Sequence, residues 1–444
     1  MMHITMDRNK YIILIVIISA ISLAYYVPHY GLIYDGGLYA SLGYSLFSGN
    51  GYFFNGYPGD VPPILPIFLS LFIRIFGENG IFLVVPLFSI MNTVIIFLIL
   101  EKKISLEMSF LGSLYVFFSP IIFYDSINVI REIPMLTFVM ASYLIFLRKE
   151  DSYKKHVLLG ILVGSAFLTK SVGFVYTFPI WAYYIFNQNK KVGISIASSV
   201  IFVLPWAIWS YSHFQTPFVS HSAYLLPKIG SNITTFFTRT LPLFLISSFI
   251  PIVPISIMGI KKSEKIFLLF GFLIIIPALL WPVQEPRYLL AAYFLIVYLA
   301  LMYLKDKRKD ITLIFMIITV LFQFGTTASI LDTHVVSYGL LDDAGIWLRE
   351  NTDPNSKIMT QSFRQIHYFS HRKTYQIPQD PSLLQRTLEV NQIEYVVIDS
   401  YEKTTPQYAR EFFEELDPLV TFKDIGGVVN IYKSPYYNSS KVDN

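Results

Sequence analysis

The chain has 444 residues, 54% of them hydrophobic, 17% aromatic and only 14% charged, with a mean hydropathy of +0.52. That is too apolar for a soluble domain of this size and assigns the chain to the polytopic membrane class. The net charge of +4 comes from basic residues in short clusters between apolar runs, which speaks against a nucleic-acid partner; the absence of cysteine excludes disulfides and thiolate metal sites.

Taken in order, the N-terminal MMHITMDRNK precedes a long apolar run with no small-residue cleavage site before Tyr25-Tyr26, so it reads as a retained first helix and not as a signal peptide. Apolar runs of about 17–25 residues can cross a bilayer. Spans are expected near 11–28, 81–100, 107–123, 134–147, 157–169, 172–186, 192–212, 241–259, 266–282, 288–304 and 311–329. The 134–147 run and the 157–169/172–186 pair are short, and fusing that pair into one helix would invert everything after it. Charge arbitrates. With Arg8 and Lys10 cytoplasmic, alternate loops carry Lys102-Lys103, Arg148-Lys149 with Lys154-Lys155, Lys190-Lys191, Lys261-Lys262 with Lys265, and Lys305 to Lys309. The other side holds isolated cations: Arg74, Arg131, Lys170, Lys228, Arg239 and Arg287. About eleven spans then leave the C-terminus outside.

Residues 33–77 form the first outer loop. It opens on Asp35 where a membrane helix meets water, continues through an amphipathic run (Leu38, Leu42, Leu46, Phe47) and a Gly/Asn/Tyr-rich turn holding Tyr57, and reaches Asp60 and Val61-Pro62-Pro63. The apolar run Ile64 to Phe76 closes it. If that run crossed the bilayer, every later cationic cluster would move to the outer face, so it is expected to lie in the interface; a re-entrant hairpin is the alternative. After Ile330 the composition becomes mixed. Helices are expected at 342–349, 381–390 and 405–416, and strands at 357–360, 395–399, 419–423 and 428–433. The division is thus an all-α membrane domain, 1–330, and a small extracytoplasmic α/β domain, 335–444. The latter has no glycine-rich phosphate loop and no metal-ligand spacing.

Few residues stand out chemically. Asp35, flanked by Gly36-Gly37, has room for a substrate beside its backbone, and a carboxylate partly out of water is a better proton acceptor. A helix-flanking polar group in the headgroup zone is the ordinary alternative. Arg131 and Glu132, with Asp125 nearby, sit in a short outer loop before Pro134; being adjacent, they serve different partners, although an interfacial ion pair of little energetic weight would look the same. Lys170 and Arg287 are isolated cations at helix ends, which either snorkel to the headgroups or bind a phosphate. His213 and His221 fit no common metal spacing and are read, with Lys228 and Arg239, as outer-loop residues. Asn232-Ile233-Thr234 and Asn438-Ser439-Ser440 are sequons on the outer side.

The ordered set of these motifs resembles the GT-C superfamily of integral membrane glycosyltransferases, close to its protein O-mannosyltransferase and aminoarabinose transferase branch. The features are Tyr34-Asp35-Gly36-Gly37, Val61-Pro62-Pro63-Ile64, Glu132-Ile133-Pro134, Gly160 to Lys170, Pro205-Trp206 and Pro286 to Leu290. Many relatives have Asp-Glu in the first motif, where this chain has Asp35-Gly36. The resemblance implies a polyprenyl-phosphate sugar donor, Asp35 as general base with Glu132 as second choice, and Lys170, Arg287 and Arg131 around the lipid phosphate. Asp60, Tyr57 and Tyr288 become candidates for the acceptor or donor loop. A protein, lipid or glycan acceptor and the need for a divalent cation are left open; no residue set is assigned to a metal. Two other classes compete: a transporter or flippase, which would place its charges near mid-membrane and show repeat symmetry, and an oligosaccharide polymerase or ligase, which would use a pyrophosphate-linked donor.

Overall fold

The computed structural model describes residues 7–27, 31–218, 228, 230–248, 251–281, 283, 285–333 and 338–437. Contacts divide the chain into two units. One is Met1–Tyr25, Asp60–Leu65 and Leu83–Thr333; the other is Tyr26–Gly59, Pro66–Phe82 and His334–Asn444. Of the first outer loop, residues up to Gly59 and from Pro66 thus group with the C-terminal residues, and Asp60–Leu65 with the membrane helices.

Among the described residues, the apolar runs become helical. In chain order these are α1 (Arg8–Tyr26), α2 (Tyr34–Phe47), α3 (Ile64–Phe76), α4 (Ile81–Leu100), α5 (Leu106–Phe117), α6 (Pro120–Ile127), α7 (Glu132–Phe146), α8 (Tyr153–Thr169), α9 (Val172–Phe186) and α10 (Val192–Phe214). They continue with α11 (Ile233–Thr235), α12 (Leu241–Ser247), α13 (Ile252–Gly259), α14 (Lys265–Leu280), α15 (Leu290–Leu304) and α16 (Lys309–Thr333). Among the described residues, five helices are long and apolar enough to cross a membrane, or up to seven if the bent pairs 106–127 and 233–262 each count as one span. The lower figure than the eleven expected has a geometric reason. Helices α7, α9 and α14 are apolar but have 15, 15 and 16 residues, about 22–24 Å at 1.5 Å per residue, against a hydrocarbon core of about 30 Å. Pro120 at the first turn of α6 produces the 64° bend after α5. Helix α3 has 13 residues, about 20 Å: Leu65, Leu69 and Ile73 are buried while Ile67, Leu71, Arg74 and Ile75 are exposed. His213 departs from its expected loop position; it lies in the last turn of α10, stacked on Trp209 at 4.5 Å. Arg239 is likewise helical, in a π-turn between α11 and α12. His221 and Asn438 lie outside the described residues.

The second unit carries two sheets. Strands β1 (Phe53–Phe54) and β2 (Tyr57–Pro58) form a hairpin whose turn residues, Asn55 and Gly56, both have positive φ, as a tight two-residue hairpin loop requires. The larger sheet has the order β4-β3-β5-β7-β6, from β3 (Lys357–Thr360), β4 (Lys373–Tyr375), β5 (Tyr395–Asp399), β6 (Val420–Lys423) and β7 (Val428–Lys433). Strands β4, β3 and β5 are parallel; β5, β7 and β6 are antiparallel. Alternation in β5 sends Val396 and Ile398 into one core, with α19 (Leu384–Val390) and α20 (Gln407–Glu414), and Val397 into the other, with α17 (Gly339–Asn351) and Ile366 of α18 (Phe363–Ser370). Helix α18 and strand β4 have no counterpart in the sequence reading.

Candidate functional site

In the membrane unit, three of the expected residues meet. Lys170 caps the C-terminus of α8, with only Ser171 before α9 begins, so its side chain is fixed at a tight helix–helix break. Glu132 opens α7 and is buried. Lys170 Nζ donates to Glu132 Oε1 at 2.6 Å, and Arg287 Nη1 lies 3.6 Å from the same oxygen. Arg287 Nε also pairs with Glu285 Oε2. Tyr288 completes the group: Lys170 Nζ sits 5.0 Å from its ring centroid, and its carbonyl accepts from Tyr176 Oη at 3.4 Å. Asp125, on α6, is buried. Lys170 and Arg287, expected around a lipid phosphate, both reach the Glu132 carboxylate. Glu132 meets Lys170 and Arg287, and a buried, doubly contacted carboxylate is held far more firmly than the weak interfacial pair of the alternative reading. Arg131, half-buried, provides the residue before α7. The four charges Glu132, Glu285, Lys170 and Arg287 sum to zero, so an anion entering here competes with Glu132 for the two cations.

In the second unit, Asp35 lies in the first turn of α2. Its Oδ1 accepts from Arg364 Nη1 of α18 at 3.1 Å, while 36% of the Asp35 side chain stays open to solvent. The Arg364 guanidinium is buried over the Tyr34 ring, 4.3 Å from its centroid, a cation–π contact that holds the donor in place. The glycines beside Asp35 need a different explanation from the one expected. A Cβ on Gly37 would stand 2.6 Å from the Arg364 carbonyl carbon, so Gly37 admits the α18 backbone and not a substrate. Tyr57 is exposed in β2 and Asp60 half-buried after it; the hairpin is tied down by Asn55 instead, whose amide donates to Thr374 O at 2.6 Å and accepts from Thr374 N at 3.2 Å.

Further along α18, His367 Nδ1 donates to Arg372 O at 2.7 Å, and burial pushes its imidazole down to about 4. His371, in the left-handed conformation after α18, stacks on Tyr44 at 4.2 Å and faces Glu78, which also accepts from Arg349 Nη1 at 2.7 Å. Burial raises Glu78, but the Arg349 and His371 contacts outweigh it and leave the carboxyl below its usual range. Arg364, His367 and His371 escaped the sequence reading because nothing in a short polar segment marks it as the partner of a residue 329 positions away.

Residues 60–209 match the family model described as dolichyl-phosphate-mannose-protein mannosyltransferase. No curated protein sequence matches the chain. Among solved structures the chain is similar to ArnT from Cupriavidus metallidurans bound to undecaprenyl phosphate, at 12% identity and a TM-score of 0.74 over 97% of this chain and 99% of that one. It is similar to the archaeal oligosaccharyltransferase AglB from Archaeoglobus fulgidus, in complex with an inhibitory peptide and a dolichol-phosphate, at 12% identity and 0.61 over 97% and 74%. The arabinofuranosyltransferase AftD from Mycobacteria follows at 13% and 0.53 over 95% and 38%. All three are glycosyltransferases of the GT-C type, and the resemblance expected from the ordered motifs is borne out. The chain is an integral membrane protein of that architecture.

Proposed function

We propose that the chain moves a sugar from a polyprenyl, dolichyl-type monophosphate to an acceptor hydroxyl at the outer membrane face, with inversion. The observation that carries this reading is the meeting of Lys170, Arg287 and Glu132 at helix ends of an apolar bundle. Charges so placed are costly and are kept for a partner, and two cations suit the charge of a phosphate monoester. The phosphate of the donor displaces Glu132 from Lys170 and Arg287, with Arg131 nearby in sequence. Asp35 accepts the proton of the acceptor hydroxyl; the oxygen forms its bond to the anomeric carbon as the bond from that carbon to the phosphate oxygen breaks. The electron pair leaves on the lipid phosphate, already a good leaving group, so no general acid is needed. Glu132, with an oxygen taken up by the Lys170 ammonium, positions the cations and is the second choice of base after Asp35. Tyr288 orients the clamp through its ring; Tyr57 and Asp60 belong to the loop that receives acceptor or donor. The N-terminus is cytoplasmic and residues 335–444 form an extracytoplasmic domain, on the distribution of Lys and Arg.

The test is incubation of the purified protein with polyprenyl-phosphate sugars, reading sugar release or transfer. Transfer only from a pyrophosphate-linked donor would replace this reading with a polymerase or ligase. Movement of the lipid-linked sugar across a vesicle membrane with no bond broken would replace it with a flippase.

A further inference from the structure

We infer that the cleft walled by α2, the β1–β2 hairpin and the α18–β4 segment binds a saccharide bearing an anionic group, carboxylate or phosphate. The inference rests on the transferase reading only in making this saccharide part of the acceptor. The cleft holds about 560 Å³, within the range of small-molecule sites. Its walls follow from helical periodicity. Ser41, Tyr44 and Ser45 share the face of α2 that begins at Gly37, and His367, Tyr368 and His371 share the face of α18 that begins at Arg364.

Three observations specify the ligand. The first is a ring platform: Tyr44 and His371 stack 16° from parallel, and Phe53 stands on the hairpin side. Flat rings receive the C–H face of a pyranose. The second is a hydroxyl without a partner. Ser41 is 5% exposed, yet its Oγ makes no hydrogen bond among the described residues, whereas Ser45 donates to Gly51 O at 2.9 Å. A buried hydroxyl left unsatisfied is unfavourable, and a sugar hydroxyl in the cleft would satisfy it.

The third is charge. Among the described residues, no Asp or Glu lines the cleft. Arg372 is 6% exposed and donates to the carbonyls of Arg349, Thr352 and Ser370, with the Asp353 carboxylate acting on it as a counter-charge. Lys373 beside it is exposed. The Arg349 charge is offset by Glu78 and that of Arg372 by Asp353, which leaves exposed Lys373 as the cation that makes the cleft positive. Asp35 begins the same helix six to nine residues before Ser41 and Tyr44, roughly 9–14 Å along its axis.

The test is calorimetric titration of the purified full chain in detergent with no donor present. The probes are glucuronate, glucose 6-phosphate, glucose, inorganic phosphate and uridine monophosphate. Glucuronate or glucose 6-phosphate should bind about tenfold or more tighter than glucose and inorganic phosphate, and the comparison of the two names the anionic group. Lys373→Gln, at an exposed position, should remove about that tenfold without changing glucose binding, and Tyr44→Ala should weaken every sugar. Equal binding of glucose would overturn the charge argument. Equal binding of inorganic phosphate or uridine monophosphate would overturn the saccharide, and no binding of any probe would overturn the site. Because no donor is present, anionic-sugar binding without transfer from any polyprenyl-phosphate sugar would count against the transferase and for the cleft.

Discussion

Glu132→Gln separates the structural cost of the membrane cluster from its capacity for an anion. The substitution keeps the shape of the side chain and removes the charge shared by Lys170 at 2.6 Å and Arg287 at 3.6 Å. Breaking a buried pair by neutralising one partner typically costs about 3–5 kcal/mol. Here the cations are 20% and 24% exposed and Arg287 keeps Glu285, so a cost below that range, about 2–3 kcal/mol, is expected. The variant should melt several degrees lower in detergent. The same change moves the cluster from zero net charge to +1, so a lipid phosphate no longer competes with a carboxylate. Ligand at a hundred times its Kd stabilises by about 2.7 kcal/mol, and tighter binding raises that gain at fixed concentration. Undecaprenyl phosphate should therefore raise the melting temperature of Glu132→Gln more than that of the wild type, and that of Lys170→Gln less. A wild-type melt unmoved by the lipid phosphate, or an equal gain in all three proteins, would refute the clamp.

Three further outcomes follow from named contacts. Asp35→Asn cannot take a proton, so turnover should fall by about 10²–10⁴-fold while lipid-phosphate stabilisation persists; near-normal turnover would exclude Asp35 as the base. Gly37→Ala drives a methyl to 2.6 Å from the Arg364 carbonyl carbon, so α2 and α18 must part at a cost of about 1–3 kcal/mol, read as a lower melt with the membrane cluster unaltered. His367 is held by burial from 6.5 to about 4, so the unfolded chain takes its proton first. Stability should fall as pH drops from about 6.5 to 4 and level off below, with His371, also lowered by burial, adding to that limb. Glu78, held low, adds its own loss only as pH falls further through its folded value. His367→Gln should flatten the limb; an unchanged pH profile of the melt would remove the assignment.

Much of the fold is legible in the sequence because one physical term dominates each legible part. Long apolar runs fix α1, α4, α10 and α16, and period-two alternation between turn residues fixes β3 and β5 at the expected bounds. The meeting of Lys170 and Arg287 is legible for the same reason: cations at the ends of apolar helices have few low-energy destinations. Their meeting on Glu132 is not, since a pattern of single charges does not say which of them neutralise one another.

The harder case is α18 with β4, and it decides what Asp35 does. Residues 363–375 read FRQIHYFSHRKTY: five cationic or imidazole side chains, no run of apolar residues, and a helix that ends on His371 in a left-handed conformation usually given to glycine or asparagine. Local propensity reads such a stretch as loop, and only Ile366, turned into the sheet core, and the packing of its opposite face on α2 make it a helix. One trace of that packing is present at the other end of the chain. A glycine inside a helix costs about 1 kcal/mol against alanine, so Gly37 in the first turns of α2 already called for a close neighbour. The sequence reading supplied a substrate as that neighbour; the neighbour is the Arg364 backbone, and with it comes the guanidinium that pairs with Asp35. The glycine thus marks the position of the counter-charge to the proposed base, and any change that keeps α18 from closing on Gly37 should release Asp35 from Arg364 even where neither charged residue is touched.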